Sequence, residues 1–140
     1  MNMFKKDAFF LLVDDVYSVR YLQRRQLNKM GYHNIIEAEN GIDAWNILEE
    51  HYGEKKEIDL IISDWRMPKM NGIELKKKLT ESNLYENIPF LMVTSEIDRD
   101  KVEEALESGV TEFLTKPFIF ETFEQKLQEI AGNIDKKTKE

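Results

Sequence analysis

Short apolar runs recur along this chain, and each breaks off in polar residues. Phe9-Phe10-Leu11-Leu12-Val13 runs into Asp14-Asp15, Leu60-Ile61-Ile62-Ser63 into Asp64, Pro89-Phe90-Leu91-Met92-Val93 into Thr94, and Phe113-Leu114-Thr115 into Lys116-Pro117; a shorter fifth run begins at Ile35-Ile36. Runs of this length without strict alternation are expected of strands buried on both faces, as in a parallel sheet. Between them the spacing becomes helical. Val19, Leu22, Leu27 and Met30 form the inward positions of a first helix that Gly31 ends, and Asn40-Gly41 opens a second with Ala44, Trp45 and Leu48 inward. A loop from Trp65 to Asn71, containing Pro68, leads through Gly72 into a third helix with Ile73 and Leu79 inward. Asp98 is placed to cap a fourth, which packs Val102, Ala105 and Leu106 and stops at Gly109; a fifth carries Phe120, Phe123, Leu127 and Ile130 on one stripe. Residues 51–57 are polar and read as a surface connection, and 136–140 as a frayed charged end. Five strand and helix repeats with short connections predict an α/β fold, a doubly wound five-stranded parallel sheet with right-handed crossovers and helices on both faces.

At 140 residues the chain reads as one domain, with a core over residues 8–131 and a charged tail over 132–140. A chain this long buries roughly 70% of its unfolded surface and needs no covalent staples. No output domain is expected after the last helix, so any signal is expected to pass through the domain's own surface. Without cysteine, and with only His33 and His51 as imidazoles, any metal must be held by oxygen. A net charge of -7 argues against a nucleic-acid surface, which needs a basic stripe. There is neither a signal-peptide-like segment nor an apolar run of spanning length, so a cytoplasmic protein without membrane contact is expected.

In a parallel sheet the carboxyl ends of all strands lie along one edge, where residues remote in sequence meet. Asp14, Asp15, Asp64, Thr94 and Lys116 would then share one pocket. Three carboxylates gathered so closely repel and would partly protonate unless a cation sat among them. A small set of hard oxygen ligands with room for water suits Mg2+ or Mn2+ better than Zn2+ or Cu2+. A hydroxyl and an ammonium facing that set suit the oxygens of a transferred phosphoryl group. His33 and His51 have no partner at ligand spacing; Trp45, Met67 and Met70 read as packing residues, and Lys76-Lys77-Lys78 as a solvated helix face.

Taken in order, these motifs resemble the receiver domains of response regulators, and within that family the CheY-like chemotaxis regulators. The resemblance covers nearly the whole chain and rests on Leu11-Leu12-Val13-Asp14-Asp15, Glu37-Ala38-Glu39-Asn40-Gly41, Ile61-Ile62-Ser63-Asp64-Trp65-Arg66-Met67-Pro68, Asn71-Gly72, Leu91-Met92-Val93-Thr94 and Lys116-Pro117-Phe118. It implies a flavodoxin-like strand order 2-1-3-4-5 and a cis bond at Lys116-Pro117. It implies further that Asp64 accepts a phosphoryl group from a histidine kinase or a small donor such as acetyl phosphate. Asp15, Asp64 and the backbone carbonyl of Arg66 are the implied direct ligands of Mg2+, or of Mn2+, with Asp14 acting through water. Thr94 and Lys116 are implied at the phosphoryl oxygens, and Thr94 with Phe113 as the switch to a face formed by the fourth helix, fifth strand and fifth helix. Ile97, Val102, Phe113 and Lys126 are the candidate contacts on that face for a flagellar motor switch protein. A chemotaxis-type histidine kinase, that motor switch protein and a phosphatase are the implied partners, and a monomer is expected. Such a chain is a phosphoacceptor that assists its own phosphorylation and dephosphorylation, not an enzyme turning over external substrates. Two positions depart from the CheY-like pattern: Arg66 stands where a small amide is usual, and Phe113 where Tyr is more common.

Rival readings fit the residues less well. An aspartyl phosphatase would want a second acid two residues after its nucleophile, where this chain has Arg66. A flavodoxin-like cofactor binder would need Gly, Ser or Thr to cradle phosphate after the first strand, where the chain has Asp14-Asp15-Val16-Tyr17. A stand-alone receiver relaying phosphate to a histidine phosphotransfer protein remains the alternative within the family; the run Ser63 to Pro68 and Phe118 favour the chemotaxis reading.

Overall fold

The structure, a computed structural model, describes residues 3–53, 57–95 and 99–139. Phe9–Val13 (β1) lies between Asn34–Ala38 (β2) and Ile58–Ser63 (β3), with Phe90–Thr94 (β4) and Glu112–Thr115 (β5) following outward. The order is therefore 2-1-3-4-5, and every pairing is parallel. Successive residues of a strand point to opposite faces, and both faces are covered. Leu11, Val13, Ile61 and Met92 pack with Ala44 and Leu48 of α2 (Gly41–His51), Ile73, Leu75 and Leu79 of α3 (Gly72–Glu81) and Ala105 of α4 (Arg99–Glu107). Phe10, Leu12, Leu60, Ile62, Leu91 and Val93 pack with Leu27 of α1 (Tyr17–Lys29) and with Phe123, Leu127 and Ile130 of α5 (Phe120–Lys139). This two-sided burial is why the strand sequences lack alternation.

The local signals act where expected at several ends. Asn40 accepts a hydrogen bond from the Asp43 N–H at 2.9 Å and so caps α2, and Asn71 with Glu74 forms a reciprocal cap on α3. Gly31 and Gly109 both take φ of +97°, a left-handed conformation that reverses the chain after α1 and α4 at little steric cost. Asp98, expected to cap α4, and residues 54–56 of the surface connection lie outside the described residues.

Four expectations about the helices are corrected. On α1 the inward stripe is Arg20, Gln23, Leu27 and Met30, while Leu22 is exposed. Spacing by three and four places Arg20 and Gln23 in line with Leu27; Leu22 sits one residue, about 100°, off that line. On α4 Ala105 is buried but Leu106 is exposed for the same reason. Lys76 is buried rather than solvated, its ammonium 5.8 Å from the centre of the Phe90 ring, whereas Lys77 is exposed. The end expected to fray is helical as far as Lys139, which accords with the helix propensity of a Lys-rich segment. Trp45 is only partly buried, edge-on to Tyr85 and under the Lys78 ammonium. Among the described residues no helix is long and apolar enough to cross a membrane.

A candidate metal and phosphoryl site at the carboxyl edge of the sheet

The backbone ladders continue one step past the strand ends, and this step aligns the site. Asp14 N–H donates to the Ala38 carbonyl at 3.1 Å, joining β1 to β2; Asp64 N–H donates to the Val13 carbonyl at 2.8 Å, joining β3 to β1. Lys116 N–H donates to the Thr94 carbonyl at 3.0 Å, joining β5 to β4. The Lys116-Pro117 bond is cis.

Carboxylate oxygens of Asp14, Asp15 and Asp64 lie within 4.8 Å of one another. Lys116 bridges two of them, its Nζ 3.1 Å from Asp14 Oδ2 and 3.2 Å from Asp64 Oδ2. Asp14 is 2% exposed, and its other oxygen accepts the Val16 N–H at 2.9 Å, so both oxygens have protein partners. Asp64 Oδ1 accepts the Trp65 N–H at 2.7 Å. Asp15 is exposed and takes part in no hydrogen bond or ion pair among the described residues. This donor set fits a hard divalent cation. All its atoms are carboxylate oxygens, one carboxylate is uncommitted, and the most committed one, Asp14, is suited to act through water.

Burial first, and then the Asp14 charge, push the Asp64 carboxyl above its ordinary range; Lys116 and the Trp65 N–H oppose them and are outweighed. For Lys116 burial alone would lower the ammonium, but Asp14 and Asp64 outweigh it and hold the group above the usual lysine value. The pocket is thus short of positive charge, and a further cation among the three carboxylates would relieve the strain on Asp64.

The loop after β3 is held tightly. Gly72 N–H donates to the Trp65 carbonyl at 2.8 Å, and a Cβ at Gly72 would collide with the carbonyl oxygen of Asp64. Gly41 N–H donates to the Met70 carbonyl at 2.9 Å, with Met70 atoms 2.7–2.9 Å from where a Cβ would stand. Asp15, Trp65, Arg66, Met67, Pro68 and Asn71 line an open cleft of about 410 Å³ beside the carboxylates. Arg66 is exposed there. Trp65 is 7% exposed, its backbone N–H donates to the Asp64 carboxylate, and it lines the cleft beside the carboxylates, so a cation there lies close to this residue. We expect Mg2+ to alter Trp65 emission saturably, with Trp45 a constant background. A titration of wild type, Asp15→Asn and Trp65→Phe checks this; the response should vanish in both variants.

The remaining expected residues that are described lie on β4, β5, α4 and α5. Thr94 ends β4, 5% exposed and opposite Thr115 in the β5 register. Phe113 is partly buried on β5 opposite Met92, packing toward α2, α3 and α4. Val102 is partly buried on α4. Lys126 on α5 pairs with Glu112 at 3.6 Å and Glu129 at 3.3 Å. Ile97 lies outside the described residues. One group escaped the sequence reading altogether: buried Arg20, whose guanidinium donates to the Asp14 carbonyl at 2.6 Å and to Glu37 at 2.9 Å. Its sequence signal was the spacing from Leu27, hidden because Arg is seldom buried.

The sequence matches the family model of the response regulator receiver domain over residues 10–128. It is similar to a Chemotaxis protein CheY homolog of Campylobacter jejuni, 36% identical over 122 residues that cover 87% of this chain and 91% of the relative. It is likewise similar to Chemotaxis protein CheY1 of Helicobacter pylori, 36% identical over 125 residues, 89% of this chain and 98% of that protein. Among solved structures, chemotaxis protein CheY4 of Vibrio cholerae aligns with a TM-score of 0.76 at 35% identity, covering 89% of this chain and 98% of that one. Strand order, the acidic edge and these similarities agree, and the chain belongs to the response regulator receiver domain family.

Proposed function

We propose that this receiver is a cytoplasmic, monomeric chemotaxis regulator whose Asp64 is the phosphoacceptor. The observation that carries the reading is the Lys116 ammonium shared between Asp14 and Asp64 beside an uncommitted Asp15. A carboxylate oxygen of Asp64 attacks the phosphorus of a kinase phosphohistidine. The O–P bond forms as the P–N bond breaks, and the imidazole leaves with that bond's electron pair and takes a proton from solvent. An acyl phosphate remains on Asp64. Lys116 lies within reach of phosphoryl oxygens placed on Asp64, and such positioned charge dominates phosphoryl transfer. Receiver domains bind Mg2+ at an acidic pocket; here Asp15, Asp64 and the Arg66 carbonyl would hold it, with Mn2+ as a substitute, and it would offset charge on those oxygens.

Output follows from the sheet. Met92 and Phe113 are register partners on one face, and by the two-residue repeat Thr94 shares that face. Movement of the Thr94 hydroxyl toward a phosphoryl group would free space for the Phe113 ring, altering the surface of α4, β5 and α5. Phe113 does so by packing alone, since it has no hydroxyl. Val102, Lys126 and Ile97 are the proposed contacts for a flagellar motor switch protein. Coupling of two sites is reciprocal and limited by differential affinity. Isothermal titration should therefore show an N-terminal motor-switch peptide binding about tenfold more tightly with a phosphoryl analogue bound, a coupling typical of such switches, and Thr94→Ala should lose the difference. Equal affinity with and without the analogue would sink the motor-switch output and favour a relay to a histidine phosphotransfer protein.

A further inference from the structure

The motif Glu37-Ala38-Glu39-Asn40-Gly41 has no part in the phosphoryl chemistry, yet its residues touch both loops that carry it. Ala38 accepts the Asp14 N–H, and Gly41 donates to Met70 in the loop that bears Arg66. Glu37 reaches Asp14 indirectly. Its Oε1 accepts Arg20 Nε at 2.9 Å, while Arg20 Nη1 donates to the Asp14 carbonyl at 2.6 Å. Arg20 is 6% exposed, and its planar fork can satisfy both acceptors at once, which a lysine ammonium of similar reach cannot do in the same geometry. Glu37 is in turn held by Arg24, Nη2 to Oε2 at 2.7 Å, but among the described residues the bonds of Arg24 run to Glu37 and to the Ile35 carbonyl at 3.4 Å, and not to the Asp14-Asp15 turn. The turn needs such support. Val16, the residue before α1, supplies no side-chain cap; besides Arg20, the Val16 N–H donating to Asp14 Oδ1, the Asp14 N–H donating to the Ala38 carbonyl and the Lys116 ammonium at Asp14 Oδ2 hold this turn.

We propose that Arg20 is a positioning residue for the metal pocket: clamped by Glu37, it fixes the Asp14 carbonyl and thereby the adjoining Asp15 carboxylate. The inference rests on the reading of Asp14, Asp15 and Asp64 as a divalent-cation site. Arg24 separates positioning from simple fastening of α1 to β2, because both arginines pair with Glu37 and only Arg20 touches Asp14.

The test measures Mn2+ dissociation constants by the paramagnetic resonance of free ion, with Mg2+ competition, alongside thermal melts of wild type, Arg20→Met, Arg20→Lys and Arg24→Met. Residues supporting metal ligands from behind usually change affinity by about 10–100-fold. Arg20→Met should weaken Mn2+ about tenfold, the lower end because Asp14 keeps its other bonds; Arg20→Lys should fall between it and wild type, and Arg24→Met should stay within about twofold of wild type. Affinity within twofold in Arg20→Met, or equal weakening in Arg20→Met and Arg24→Met, would overturn the proposal while leaving the metal site intact. If Arg20→Met does not fold, Arg20→Lys decides by the same comparison with Arg24→Met. Wild type that binds no Mn2+ would instead overturn the pocket reading, and the positioning role with it.

Discussion

Asp64→Asn will take up no phosphoryl group from acetyl phosphate and Mg2+, while wild type gains a single one. Asp64 follows the last residue of β3, its N–H bonded to the Val13 carbonyl, and its carboxylate faces both Asp14 and the Lys116 ammonium. The other two carboxylates are placed differently. Asp14 has both oxygens engaged, and Asp15 has no ion-pair contact with Lys116 among the described residues. An amide at 64 keeps the shape but is a far poorer nucleophile than a carboxylate. Intact-protein mass spectrometry reads the result directly. Full labelling of Asp64→Asn would show that another residue is the acceptor, and loss of labelling in Asp15→Asn with wild-type labelling of Asp64→Asn would point to Asp15.

The strands and the site could be read from the sequence because both depend on patterns local to each strand. A run buried on both faces shows itself without knowledge of its neighbours, and its last residue marks the sheet edge, so Asp14, Asp64, Thr94 and Lys116 stood out together. Strand order did not follow from those patterns; it came from resemblance, and the ladders now show it. What periodicity could not reveal was which polar residues are buried by tertiary partners. Arg20 is buried because the Asp14 carbonyl and Glu37 accept its donors, and Leu22 is exposed because the helix can turn only one stripe inward. Lys76 is buried beside Phe90, a residue of a different element. Gly41 opposite Met70 is another case, in which the need for glycine arises from a loop 29 positions away and not from its own turn.

Two substitutions in this pocket will move the stability of the metal-free protein in opposite directions. Lys116→Met leaves Asp14 and Asp64 facing each other without a cation. Deleting one partner of a buried pair costs about 3–5 kcal/mol; the Lys116 side chain keeps 18% exposure, so a loss of about 3 kcal/mol is expected, roughly 6–12 °C in Tm for a domain of this size. Asp64→Asn removes one of the repelling charges and should raise Tm at neutral pH. The pH dependence separates the two effects. Asp64 is held above its ordinary value chiefly by burial and then by Asp14, so between the unfolded and folded values the native state binds the extra proton. Its contribution to stability is therefore present below the ordinary carboxylate range and lost as pH rises through the raised value. Lys116, raised by Asp14 and Asp64 against the opposing and larger single effect of burial, contributes fully below the ordinary lysine value and loses that contribution only as pH rises through its raised one. The stability gained by Asp64→Asn should accordingly grow as pH rises through the carboxylate range and level off at neutrality. Mg2+ should then narrow the gap, because a ligand at 100 times its Kd adds about 2.7 kcal/mol to the state that binds it, and the variant lacks the Asp64 charge that is proposed to help hold the ion. Chemical denaturation from acid to neutral pH, with and without Mg2+, measures each step; an Asp64→Asn protein less stable than wild type at neutral pH without metal would refute the view that charge repulsion strains this pocket.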